Sequence, residues 1–202
     1  MADGSPAGGA QHLLGLTKAQ QEQGFNPIVA TAYPSSLAKE LKANKTENIP
    51  LNIMGYRCQP EHLLQIASVV ERIHPDILHL HGTRSAFYAS FFAQRWQKYI
   101  ARIYTIHGLA LHQKIHPLRK LFLRSAEYFA CRGATRVISV ARNDICLLNK
   151  LSFLHANKGY YIPNAIDHTR FTSTAKHSLD LALGIPKKSF LIGTVARLVP
   201  QK

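Results

Sequence analysis

Apolar and polar positions along the chain alternate between two periods. Leu13, Leu14 and Leu16 fall within a helix-length segment, residues 9–23, ended by Gly24. Asn26-Pro27 then opens IVATAY, a short run rich in β-formers, followed by a helix predicted at about 35–43 and a strand, IPLNIM, at 49–54. PEHLLQIASVVERI starts with Pro60-Glu61, a pair suited to a helix's first turn, and stops before His74-Pro75. DILHLHG predicts a compact strand closed by Gly82, RSAFYASFFAQRWQKYI reads as one helix, and ARIYTIHG as another strand closed by glycine. HPLRKLFLRSAEYFACRG predicts a basic amphipathic helix whose apolar stripe is Leu118, Leu121, Phe122 and Phe129. TRVISVA is a strand, RNDICLLNKL a helix, and FLIGTVA at 190–196 a further strand. Strands alternating with helices, and apolar nearly throughout, predict an α/β fold with a doubly wound parallel sheet covered on both faces. Such a domain normally opens with a strand feeding its first glycine-rich turn. Only Met1 and Ala2 precede Asp3-Gly4-Ser5, so that first strand is expected to be missing or shortened.

Composition changes this picture in one respect. The 202 residues are 46% hydrophobic, enough for a real core, but Lys+Arg number 25 against 11 Asp+Glu, a formal net charge of +14. Such a field attracts nucleic acid, anionic lipid or phosphorylated ligands without choosing among them. There is no helix-turn-helix, zinc-finger spacing or RNP-like aromatic strand, so nucleic acid is not an expected partner. Every apolar stretch is interrupted well short of the ~18 residues of a membrane span, and no basic segment followed by an apolar run opens the chain. Cys58, Cys131 and Cys146 are widely spaced with no CxxC pair, which suits unpaired thiols in a reducing cytoplasm.

Several residues are candidates for chemistry. Gly8 and Gly9 sit at a helix start, where backbone N–H groups and the helix dipole favour an anion; a plain flexible terminus would look the same. His79 and His81 are two apart in a strand and so share a side of the sheet. No third ligand follows at a characteristic spacing, so they read as a partly buried, satisfied pair, and no metal is expected. His107 ends the strand IYTIH, at the carboxyl end where open α/β sheets bind ligands. There it either hydrogen-bonds a ligand hydroxyl or steadies a developing charge, or it simply caps the strand. Lys114, Arg119, Lys120 and Arg124 lie on the basic helix, which either meets an anionic bilayer or packs on the core with a solvated basic side. Arg197 and Lys202 follow the 190–196 strand, and cations just past a strand suit a diphosphate.

In order along the chain, GGAQHLL, PDILHLHG, YTIHGL, VISVARND, YYIPNAIDHTRF and LGIPKKSFLIGTVARLVPQK resemble the family 4 glycosyltransferases. The resemblance runs over almost the whole chain and implies one Rossmann-like half of a GT-B fold, in which two such domains face each other across a cleft. It implies an acceptor-side domain at 1–162, a linker at 163–187, and the first strand and loop of a donor-binding domain at 188–202. It implies transfer of a sugar from a nucleotide-sugar donor, with retention of configuration and without metal or other cofactor, to a glycan or lipid-linked acceptor in cell-surface polysaccharide synthesis. Gly8 and Gly9 then match the loop that approaches the donor diphosphate, His107 the histidine near the transferred sugar, and Arg197 and Lys202 the pair that neutralises the leaving diphosphate. Ala165 stands where the family's crossing segment usually has glycine. The family's nucleotide pocket and its glutamate pair have no counterpart in these residues. The isolated chain is therefore expected to have little activity unless a second chain supplies that domain; the alternative reading is a non-catalytic remnant or split-gene domain.

Overall fold

A computed structural model describes residues 8–53, 59–96, 98–112, 116–155, 157–166, 184–186, 189 and 192–193. It divides into a compact unit, Met1–Asn164, and a smaller one, Ala165–Lys202.

The first unit begins with helix α1 (Gly8–Glu22), which buries Ala10, Leu13, Leu14 and Thr17 along one face. Strand β1 (Ile28–Thr31), helix α2 (Ser36–Ala43) and strand β2 (Glu47–Pro50) follow. The Ser35 hydroxyl caps α2 by accepting the Ala38 N–H at 3.1 Å. β1 and β2 pair in parallel, and Val29, Leu37 and Leu41 join Ala10, Leu13 and Leu14 in a small core.

Helix α3 (Pro60–Ile73) starts on Pro60 and ends at His74, which adopts the left-handed conformation (φ 50°) of a helix C-cap. Then come β3 (Ile77–His81), α4 (Thr83–Ser90), α5 (Ala93–Trp96), β4 (Ala101–Ile106) and a 3₁₀ turn, Ala110–His112. Helix α6 (Pro117–Gly133), β5 (Arg136–Ser139), α7 (Arg142–Lys150) and β6 (Gly159–Tyr161) complete the unit. Strands β3, β4, β5 and β6 form one parallel sheet in that order. A second, larger core gathers around it, with Tyr88, Trp96, Tyr104, Ile106, Val137 and Leu148 nearly inaccessible to solvent. The alternation of strands and helices is thus as the sequence predicts; β6, only three residues long, carried no pattern of its own.

Two helical expectations need correction. The segment read as one helix breaks at Phe91-Phe92, where the chain turns, so that Phe92 stacks on the fully buried Trp96 at 5.1 Å while Phe91 stays exposed. In α6 the buried face is the opposite of the predicted stripe. Leu123, Ala126, Glu127, Ala130 and Cys131 are buried, whereas Leu118 (73%), Leu121 (63%) and Phe129 (51%) are largely exposed. Small residues decide this. A Cβ on Gly133 would lie 2.6 Å from Ser90 Cβ, so α6 approaches α4 more closely than any larger residue permits. Glu127 fastens the same seam, its carboxyl accepting bonds from Tyr104 (2.7 Å) and Thr83 (3.0 Å).

No strand precedes α1 among the described residues. β1 pairs only with β2, and β3 only with β4. Between the remaining edges of β1 and β3 lies a cavity of ≈ 600 Å³, lined by consecutive residues 25–30 and 73–81 and floored by Leu13, Leu16, Ile66 and Val70. Successive strand residues point to opposite faces, so lining by consecutive residues means that strand edges turn toward the cavity. It occupies the place a doubly wound sheet gives its first strand.

In the second unit, the described backbone includes Gly184 at φ +64°, and Ser189 donates its N–H to the Pro186 carbonyl at 2.9 Å. Arg197, Lys202 and most of the predicted 190–196 strand lie outside the described residues, as do Lys114 and Cys58.

Candidate functional site

Three parallel strands deliver their carboxyl ends to one side of the sheet: β3 ends on His81, β4 ends just before His107, and β5 ends on Ser139. Gly82, at φ +85°, turns the chain from β3 straight into α4, a conformation that favours glycine. α1 begins at Gly8, which is exposed and has nothing within 4 Å of where a Cβ would stand, so a ligand could approach its backbone. Gly9 follows it, half-buried, in the same first turn.

One helical turn into α1, His12 brings a third imidazole to the strand ends. Its ring centroid lies 4.9 Å from that of His107 and 5.8 Å from that of His81. His81 Nδ1 and His107 Nε2 are 3.0 Å apart and share a proton in one hydrogen bond. The His79 ring packs at a tilt against His81, centroids 4.2 Å apart, and bonds the Thr105 hydroxyl at 2.7 Å. The expected pair of satisfied histidines is therefore present, and it belongs to a cluster of four. Sequence reasoning missed His12, although it stands in the quoted GGAQHLL; four residues after Gly8, it is one turn up the same helix face.

Crowding and burial set the charge of this cluster. Burial, then the nearby His12 and His107, lower His79 to a pKa of about 4. Burial, then His12, lower His107 to about 4. His81 is pushed well down, mainly by burial and then by its neighbours. His12 is lowered by burial, against a side-chain hydrogen bond with Asn164 that favours the protonated ring. At neutral pH these imidazoles are uncharged, so each ring nitrogen is either a donor or a lone pair. One of them, His107 Nδ1, is buried with no partner among the described residues.

A second group sits nearby in sequence terms but was not foreseen. Buried Asp144, in the first turn of α7, accepts the Ser139 hydroxyl at 3.0 Å and pairs with His112 Nε2 at 2.9 Å. Ser139 donates to the carboxylate and not to the histidine, so this is an anchor for the β5 end and not a nucleophile–base arrangement. Of the basic residues expected on the neighbouring helix, Arg119, Lys120 and Arg124 are exposed on α6.

A parallel sheet with glycine turns and a polar cluster at its carboxyl ends is a Rossmann-like domain, and its likeness to solved glycosyltransferases makes it one half of a GT-B fold. Solved structures agree. The chain superposes on Anabaena HepE in complex with UDP and glucose with a TM-score of 0.70 and 18% identity, covering 91% of this chain and 48% of that one. It superposes on a glycosyltransferase from Rickettsia africae with a TM-score of 0.62 and 17% identity, covering 89% and 46%. The family model of Glycosyltransferase Family 4 matches residues 6–170, and the chain belongs to that family. It is also 28% identical over 143 residues to the Escherichia coli UDP-Gal:alpha-D-GlcNAc-diphosphoundecaprenol alpha-1,3-galactosyltransferase, a match spanning 69% of this chain and 36% of that enzyme. The chain thus spans about half, or less, of the length of these relatives. Among the described residues, no helix is long and apolar enough to cross a membrane.

Proposed function

We propose that this chain forms the acceptor-side half of a retaining glycosyltransferase, which moves a sugar from a nucleotide-sugar donor to a lipid-linked glycan in cell-surface polysaccharide synthesis. The observation that carries the reading is His107, placed at the carboxyl end of β4 in a family 4 chain, with a buried Nδ1 that no described group satisfies. A sugar hydroxyl is the partner that nitrogen suits. As the bond to the leaving diphosphate breaks, positive charge grows on the sugar and negative charge on the diphosphate. A neutral imidazole held by His81 orients the sugar without adding charge, and the α1 start at Gly8 and Gly9 turns backbone N–H groups toward the diphosphate. Arg197 and Lys202 would complete its neutralisation. No metal is required in this scheme.

Acceptor binding follows from α6. Phe87 contacts the rings of Phe91, Phe122 and Phe129, and around this cluster Leu118 and Leu121 stand exposed beside Arg119, Lys120 and Arg124. Apolar side chains flanked by cations suit the inner, anionic face of a membrane that bears a lipid-linked acceptor. The relative from Escherichia coli is named for a diphosphoundecaprenol-linked acceptor.

Holding donor and acceptor together across a cleft takes both halves, so the 202 residues alone should turn over little or no donor. The test is transfer from UDP-galactose to GlcNAc-diphosphoundecaprenol by the chain alone and with a separately expressed donor-binding domain of a family 4 enzyme. Turnover that appears only on mixing, and falls at least 100-fold with His107→Ala, is the expected result. Full-rate turnover that is indifferent to His107→Ala would overturn the reading. Co-sedimentation with anionic but not neutral vesicles, reduced by Leu118→Ser with Leu121→Ser, is expected of the α6 surface.

A further inference from the structure

The spacing of His79 and His81 offers no third metal ligand in sequence, but the fold supplies one from elsewhere. His12, His81 and His107 each present one ring nitrogen, and the three nitrogens lie within 4.8 Å of one another. We infer that this trio is a binding site for a borderline transition-metal ion, Zn²⁺ above all, taken by His107 through Nε2 and not through the Nδ1 that would meet a sugar.

The donor set selects the ion. Imidazole suits zinc, copper and nickel, whereas magnesium and calcium need oxygen ligands. Zinc–nitrogen bonds of ~2.0–2.1 Å in a tetrahedral site put ligating nitrogens about 3.3 Å apart. His81 Nδ1 and His107 Nε2 are already 3.0 Å apart, each fixed by sheet register: His81 lies opposite Thr105, two residues before His107. His12 is half-buried on α1, and rotation of its side chain closes the third side. The surroundings match those of metal-bound histidines, whose rings are steadied by outer partners. His79 packs at a tilt against His81 and is itself tied to Thr105, and Asn164 bonds His12.

Three neutral ligands leave the ion's double charge intact and its fourth position open, which favours hydroxide or a phosphate oxygen there. The site is therefore distinct from the metal-free transfer proposed above.

The experiment titrates the metal-free 202-residue chain with Zn²⁺ and with Mg²⁺ by calorimetry, and with Co²⁺ by visible absorption. One equivalent of Zn²⁺ should bind, Mg²⁺ should not, and Co²⁺ should show the intense visible bands of a tetrahedral site. His12→Ala and His107→Ala should each weaken Zn²⁺ binding about tenfold or more, while His155→Ala, at an exposed position beside Arg132, should not. His12→Ala removes a half-exposed side chain and serves alone if the His107 variant fails to fold. Absence of a stoichiometric site, or a site unmoved by His12→Ala, would overturn the inference. Because no donor sugar is present, neither result depends on transferase activity.

Discussion

The unit Met1–Asn164 contains two packed regions of very different weight. One is the α1–β1–α2–β2 segment, held by six buried residues: Ala10, Leu13, Leu14, Val29, Leu37 and Leu41. The other is the four-stranded sheet from β3 to β6, whose continuous core runs from Ile53 to Leu154. The cavity between β1 and β3 separates their strands. The histidine cluster spans both, since His81 and His107 are fixed by the larger core and His12 by the smaller. The lesson is that the position of His12, and with it the candidate site, is only as stable as the smaller core. Stability differs between regions of one fold, and the region with fewer buried apolar contacts opens first.

The largest test of this difference uses two leucines that are both completely buried, Leu41 and Leu148. Leu→Ala at either site should cost about 2–5 kcal/mol. Leu148→Ala should lower the stability of the whole unit in urea unfolding. Leu41→Ala should speed hydrogen exchange in α1 to β2 while β3–β6 amides keep their protection. Equal loss of protection in both regions would merge them into one cooperative block.

Gly133→Ala probes the larger region alone. The added methyl meets Ser90 at 2.6 Å and must push α6 from α4, at about 1–3 kcal/mol of overpacking. His12 reactivity toward an imidazole-modifying reagent should not change, because α1 is not part of that seam. The smallest effect concerns pH. Burial, partly offset by its bonds to Tyr104 and Thr83, raises the pKa of Glu127 above the ordinary 4.5. The folded state then binds this proton more tightly than the unfolded state, so the associated stability is full below pH 4.5 and is lost as pH rises through the folded pKa. Glu127→Gln should flatten that decline in a series of unfolding curves.

How much of this was legible in the sequence depended on how one-sided each segment was. α3 and β3–β5 had clear starts, stops and apolar runs, and the structure puts them where those signals stand. α6 did not, because it carries Leu and Phe on both sides. Periodicity finds a stripe but cannot say which of two apolar stripes is buried. The answer lay in small residues, Ala126, Ala130 and Gly133, whose value appears only when α4 is alongside. His12 was hidden for a related reason. A lone histidine in a helix has no chemistry until the fold brings it beside two others, and the separations along the chain, 26 residues between His81 and His107 alone, match no metal motif.

The cavity between β1 and β3 also has a consequence for how copies of this chain behave together. Its lining is largely apolar, with Phe25, Ile28, Leu51, Ile66, Val70 and Ile77 among it, a surface on which apolar segments of another molecule can collect. A net charge of +14 holds such molecules apart while ionic strength is low, but charges are screened within ~10 Å at 0.1 M salt. Light scattering at fixed concentration should therefore rise as salt is added.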